Sequence, residues 1–326
     1  MNRKGYEFSF AWFFAIIAGA VIIFLAIYAT TRLIDVQRFQ GESVRGREFG
    51  ILLTPLETNL EALRGATIRV PDPTRIINRC EEEGTFGIQK IAVQTRSGVG
   101  REWRTETGVE SSFYNKYLFS SGESEGNKEF YTFSKPFLFP FKVVDSIVLW
   151  SDRESYCFVD PPDEIKEEIN EVTSGAIVKN LKMAAGIAGC DPSAKKVCFL
   201  DTGCDIDVSE NAKTVKKEGK TLYYVDSLDR NNKYALLYAA IFSDPDVYEC
   251  QIKRIMKRAA SLALLYEQKS LFLTSQGCTS PILQPILSSY AQAALAVTSS
   301  EDLKTTINSK ALEVREKNDR LICKLF

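Results

Sequence analysis

The residues of this chain best suited to chemistry form one string, Phe199-Leu200-Asp201-Thr202-Gly203-Cys204-Asp205. Two apolar residues run into an aspartate at a tight turn, which sets a carboxylate at the end of a strand. One such carboxylate does little alone, but two facing each other share a proton and activate water. The same stretch gathers oxygen ligands: Asp201, Asp205, Asp207 and Glu210 could surround a Ca²⁺ ion, although their spacing departs from the calcium-loop pattern. An acidic turn closing a strand explains these residues without any metal. The chain contains no histidine, which excludes Ser-His-Asp and Cys-His catalysis, HExxH zinc sites and any imidazole base. There is no GxxxxGK[ST] or GxGxxG loop either, since Gly98 and Gly100 lead into charged residues. No cofactor is implied.

The apolar pair followed by Asp201-Thr202-Gly203 resembles the active-site loop of retropepsin-like aspartic proteases. That resemblance implies Asp201 as a catalytic residue and a second copy to complete the site. The family also carries an apolar pair followed by glycine further along, whereas the downstream chain here is mostly of helical periodicity. A membrane-tethered hydrolase using Asp201 is therefore the alternative reading. The main one is a structural or interaction protein in which no catalytic constellation is identified.

Eight cysteines stand at Cys80, Cys157, Cys190, Cys198, Cys204, Cys250, Cys278 and Cys323. No CxxC occurs, and without histidine the usual zinc patterns are missing. An even count in an oxidising compartment suggests disulfides whose connectivity the sequence leaves open. Proximity favours Cys190 with Cys204. The competing reading is buried free thiols, for which Cys157 and Cys198, inside candidate strands, are the best cases. Lys253, Arg254, Lys257 and Arg258 form a basic stripe on one helix face. It could touch anionic lipid or RNA, but with 41 basic against 42 acidic residues a solvated face is expected and no nucleic-acid partner.

The elements that carry these residues begin with 24 uncharged residues, Phe8 to Thr31. As a helix they span about 36 Å, enough for a hydrocarbon core of about 30 Å. The run is too long for a cleaved signal peptide and lacks a small-x-small site, so it reads as a single-pass anchor. Arg3 and Lys4 precede it; Arg32, Arg38, Arg45 and Arg47 follow. Large domains translocate largely regardless of charge, which puts the short tail in the cytoplasm and the large domain outside the cell. Ala11, Ala15 and Gly19 make a small-residue stripe for packing against a second helix. The bilayer, and a homo-oligomer or surface protein, are the expected partners.

Lys4-Gly5, then Tyr6, Glu7 and an unbroken apolar helix, resembles the start of type IV pilin precursors. The resemblance implies cleavage after Gly5 and packing of the helix in a filament core. Here the acidic residue, Glu7, falls second after the cut rather than fifth. The chain is also similar to uncharacterised single-pass archaeal membrane proteins, a likeness that implies no activity.

Beyond the tail (1–7) and the transmembrane helix (8–31), a stalk helix is expected over 32–64, broken near Gly46 or Gly50 and meeting Pro55. A β-rich part (65–160) offers strands at Gly87 to Thr95, Phe130 to Phe133, Val143 to Trp150 and Ser155 to Val159. Arg96 to Ser112 and Ser120 to Lys128 read as polar loops, and Lys135 to Phe141, with two prolines, as an edge or loop. A helix-rich part (161–326) offers a helix at Asp163 to Val172, a strand at Lys196 to Leu200, and a hairpin pairing Lys213 to Lys217 with Thr221 to Val225 through Glu218-Gly219. Four further helices follow: Tyr234 to Phe242, one capped by Ser243-Asp244-Pro245-Asp246 and running to about Phe272, one begun by Pro281 and Pro285 and extending to Val297, and Leu303 to about Leu325. The fold class is α+β. With a strong anchor and no catalytic constellation, the sequence points to a membrane-anchored cell-surface protein with a structural, adhesive or pilus-associated role.

Overall fold

The computed structural model of the chain describes residues 10–54, 65–96, 103, 110–174, 178–200, 203–278 and 282–326. Helix α1 runs unbroken from Phe10 to Leu52. Its first part, Phe10–Leu33, is long and apolar enough to cross a membrane, and none of it is buried in the fold. The break expected at Gly46 or Gly50 is absent. Both glycines face a β-sheet instead: a Cβ on Gly46 would stand 3.4 Å from the Ile91 carbonyl oxygen, and one on Gly50 would run into the Phe113 ring. Glycine weakens a helix by about 1 kcal/mol, and here it lets the backbone lie directly on strands. The helix stops just short of Pro55, a residue that disfavours helical backbone before it. The expected continuation to Arg64 lies outside the described residues.

The sheet beneath α1 orders β4 (Ser111–Phe113), β3 (Ile88–Thr95), β2 (Thr74–Glu81) and β6 (Glu123–Gly126), all antiparallel. Strand β6 lies in Ser120 to Lys128, expected as a loop, and pairs with β2 from Thr74 to Ile77. Most of the other expected loop, Arg96 to Ser112, lies outside the described residues. A second sheet orders β1 (Ala66–Arg69), β7 (Glu129–Leu138), β8 (Lys142–Ser151) and β5 (Leu118–Phe119). Phe49 of α1 and Leu53, just past its end, fill the space between the two sheets with Ile76, Ile91, Val93, Leu118, Phe130, Ile147 and Leu149. The opposite face of the second sheet, with Phe133 and Trp150, meets Phe242 of helix α3 (Ala235–Phe242). Covered on both faces, β8 has every residue but its first buried.

Lys135 to Phe141 is strand as far as Leu138 and, as expected, lies at an edge of its sheet. Pro136 pairs with Asp145 of β8, while β1 on the other side stops at Thr132, so no neighbour needs the missing proline amide.

The third sheet orders β10 (Leu181–Ala184), β9 (Tyr156–Val159), β11 (Lys195–Cys198), β12 (Ile206–Ser209), β13 (Thr214–Lys217) and β14 (Lys220–Tyr223). Its first four strands are parallel and the last two pairings antiparallel. The β13–β14 turn, Glu218-Gly219, has φ of 51° and 72°, the positive pair a type I′ turn needs. Helix α2 keeps its expected bounds, Asp163–Val172. The chain closes with α4 (Pro245–Ser275), α5 (Leu283–Leu295), a π turn at Leu303–Ile307 and α6 (Asn308–Asp319). The last helix, expected to reach about Leu325, ends at Asp319. There Asn318 folds the chain back, accepting from the Leu325 N–H at 2.7 Å and donating to the Phe326 carbonyl at 2.9 Å. One core runs from Tyr117 to Leu325 and crosses residue 160 without a gap.

Helices α1 and α4 run in the same sense along the first sheet. Gly46 of α1 lies beside Ile91 and Val93, and Gly50 beside Phe113, the partner of Gln89, so α1 is antiparallel to β3. Just before α4, Asp244 accepts from the Gly122 N–H; further on, Cys250 bonds to Cys80 and Arg254 donates to Phe86. Helix α4 therefore follows β2 toward its hairpin. The apolar half of α1 and the last turns of α4 lie at opposite ends of that sheet.

Candidate functional site

Asp201 and Thr202 lie outside the described residues. Their acidic neighbours do not converge. Asp207 turns both oxygens back on the loop, accepting the Gly203 and Cys204 N–H groups at 3.0 Å each. Asp205 accepts the Lys196 N–H at 2.8 Å, and Glu210 accepts from the Tyr234 hydroxyl at 3.4 Å. Among the described residues no three His, Cys, Asp or Glu side chains are grouped to hold a metal ion. A cleft of about 480 Å³ beside them is lined by Phe199, Leu200, Asp207, Ser209, Asn211 and Lys216 among others.

All eight cysteines lie in close pairs that fit disulfides: Cys80–Cys250, Cys157–Cys190, Cys198–Cys204 and Cys278–Cys323, with Cα separations of 6.0, 5.8, 6.1 and 6.0 Å. The expected Cys190–Cys204 pairing is overturned, and so are free thiols at Cys157 and Cys198. Strand β9 has β10 as a parallel neighbour, and the turn at Ile187–Gly189 then brings Cys190 back to Cys157. Cys198 ends β11 opposite Asp207 of β12, so the short connection returns Cys204 to it. Both strand cysteines are buried, as expected, but bonded.

The basic stripe is solvated only in part: Lys253, Lys257 and Arg258 are half-buried and Arg254 is withdrawn from solvent. Lys253 pairs with Glu82 at 2.9 Å, Lys257 donates to the Glu82 and Gly84 carbonyls, and Arg258 donates to Asn115 at 3.3 Å. Arg254 is wholly buried. Its guanidinium donates to the carbonyls of Phe86 (3.1 Å), Lys116 (3.0 Å) and Tyr114 (3.2 Å) and to Gln251 Oε1 (2.8 Å), over the Tyr117 ring. Each of these acceptors is neutral. Burial lowers its pKa to about 10, which keeps it charged at neutral pH. With the adjacent Cys80–Cys250 bond, this cation fastens α4 to the β2–β3 hairpin.

Lys135 and Lys217 are also buried. Lys135 pairs with Glu168 at 2.5 Å beneath the Tyr238 ring, and burial lowers its pKa against the pull of that carboxylate. Lys217 donates to the Ile241 carbonyl at 3.0 Å, in the last turn of α3, and burial lowers its pKa to about 8. It faces a cleft of about 340 Å³ with Ser121, Tyr156, Lys195 and Asp244. A cation on a helix's last carbonyls is favourable there, which gives Lys217 a capping role.

Among the described residues, extended apolar surface is left uncovered on α1 and α4. The first is α1 from Phe10 to Leu33, with Ala11 and Ala15 exposed and nothing within 4 Å of a Cβ built on Gly19. The second was not anticipated: Leu264, Leu265, Gln268, Leu271 and Phe272 form an exposed face on the last turns of α4. The signal for it is a second apolar stripe on α4, separate from the buried one through Ile252, Ile255, Met256, Ala259 and Ala263. No protein-family model matches this chain, and no curated protein or solved structure matches it.

Proposed function

We propose that this chain is a single-pass membrane protein anchored by α1, with its disulfide-bonded body outside the cell in a structural, adhesive or pilus-associated role. The observation that carries this reading is the exposed apolar helix. Phe10–Leu33 comprises 24 residues with none buried, in a fold whose two cores take nothing from it. Such a surface is stable in lipid and costly in water. Four cysteine pairs support an oxidising side for the body. The partners on this reading are the bilayer and a second copy or another surface protein. The pilin-like start adds cleavage after Gly5.

Thiol labelling of intact cells, with and without reductant, tests the topology. Oxidised cysteines reached only after external reduction are expected; eight reduced, protected thiols would reverse the orientation. Recovery of the full-length chain from the soluble fraction without detergent would remove the anchor. For the processing step, mass spectrometry should find a mature chain beginning at Tyr6, and an intact terminus at Met1 or Asn2 would refute it.

A further inference from the structure

We propose that the exposed face of α4 is a homophilic contact, taken by α4 of a second copy of this chain anchored in a facing membrane and lying antiparallel to the first. The inference rests on the anchored-surface reading and deepens it by naming the partner.

Leu264, Leu265, Leu271 and Phe272 are 43%, 58%, 53% and 63% exposed. They stand three and four residues on either side of Gln268, so the apolar pattern reads the same in both directions. A two-fold axis through Gln268, perpendicular to the helix, therefore sets Leu264 opposite Phe272 and Leu265 opposite Leu271 of the second copy. Gln268 then meets its own counterpart, and two side-chain amides can donate and accept reciprocally. No charged residue lies on the face; Glu267 and Lys269 flank it on opposite sides, so its centre meets its copy without like charges in contact.

The same axis fixes where the anchors go. It reverses every vector along α4, and α1 runs in the same sense as α4 along the first sheet. The two apolar helices therefore leave the pair in opposite directions, toward two membranes. A few helical turns bury less than the roughly 1,200 Å² of a stable complex, so one pair is weak and many copies per membrane supply the hold.

The test uses the full-length chain reconstituted into two phosphatidylcholine vesicle populations with different fluorophores, after co-flotation and protease accessibility confirm anchored, outward-facing protein. Clustering is expected only when both populations carry the chain. Leu265→Glu and Phe272→Glu, on exposed positions, should each reduce clustering at least tenfold with an unchanged thermal unfolding profile. Gln268→Cys should crosslink through a short bismaleimide between chains of different vesicles, and Lys166→Cys should not. Anchored, outward-facing protein that leaves vesicles unclustered would overturn the inference and leave the anchored reading standing. Clustering with protein-free vesicles would also overturn it, since the face would then bind lipid. Failure to co-float would sink both.

Discussion

At the scale of single residues, the join between the first sheet and α4 depends on a cation with no carboxylate among its hydrogen-bond acceptors. Replacing Arg254 with Met leaves the carbonyls of Phe86, Lys116 and Tyr114 without this donor. A loss of about 2–4 kcal/mol is expected, read from urea unfolding of the detergent-solubilised chain. Lysine should do little better, because an ammonium cannot reproduce the guanidinium fork. Lys217 gives a pH signature instead. Its pKa is about 8 in the fold against an ordinary 10.5, so between those values the unfolded chain holds a proton the folded chain has given up. The contribution of Lys217 to stability therefore rises as pH climbs through that window and is flat below it. Unfolding free energies of the native chain and Lys217→Met should diverge across the window, in favour of the native chain, by at most about 3 kcal/mol. A constant difference would mean that the ammonium is solvated.

Among the elements, α1 offers a test whose sign decides between two pictures. In a free stalk helix, Gly50→Ala gains about 1 kcal/mol of helix propensity. Against the Phe113 ring, the added Cβ is expected to cost about 1–3 kcal/mol and to speed amide exchange over residues 46–53. The glycines also show what the sequence could and could not disclose. Elements set by residues within a few positions of one another were legible: helix α2, the Glu218-Gly219 hairpin, and the start of α4 at Pro245. Strand β2 was not, because Arg75 and Arg79 interrupt its apolar pattern and find their partners far along the chain. Arg75 pairs with Glu125 and stacks on the Trp103 ring, and Arg79 pairs with Glu110. Arg254 was misplaced for the same reason, its three carbonyl acceptors lying more than a hundred residues away. In the candidate site, spacing gathered Asp205, Asp207 and Glu210 into one cluster, and backbone geometry sends each carboxylate to a different donor.

For the molecule as a whole, the four disulfides differ most in the length of chain they close. Cys80–Cys250 spans 170 residues and Cys198–Cys204 only 6. On loop-closure entropy these correspond to about 5 and about 2 kcal/mol as ceilings, so the Cys80→Ala/Cys250→Ala pair should lower the melting temperature most and the Cys198→Ala/Cys204→Ala pair least. The opposite order, measured by calorimetry, would place the stabilisation in local packing instead. The longest of these bonds also sets how the protein bears tension. A pull applied between the oily end of α1 and the far turns of α4 can pass from Phe10 down the backbone to Cys80, cross one sulfur bridge to Cys250, and leave along a single helix. Everything between those two cysteines, the six-stranded sheet included, hangs from that route as a side branch, and stretching the ends cannot unravel it while the bridge is intact.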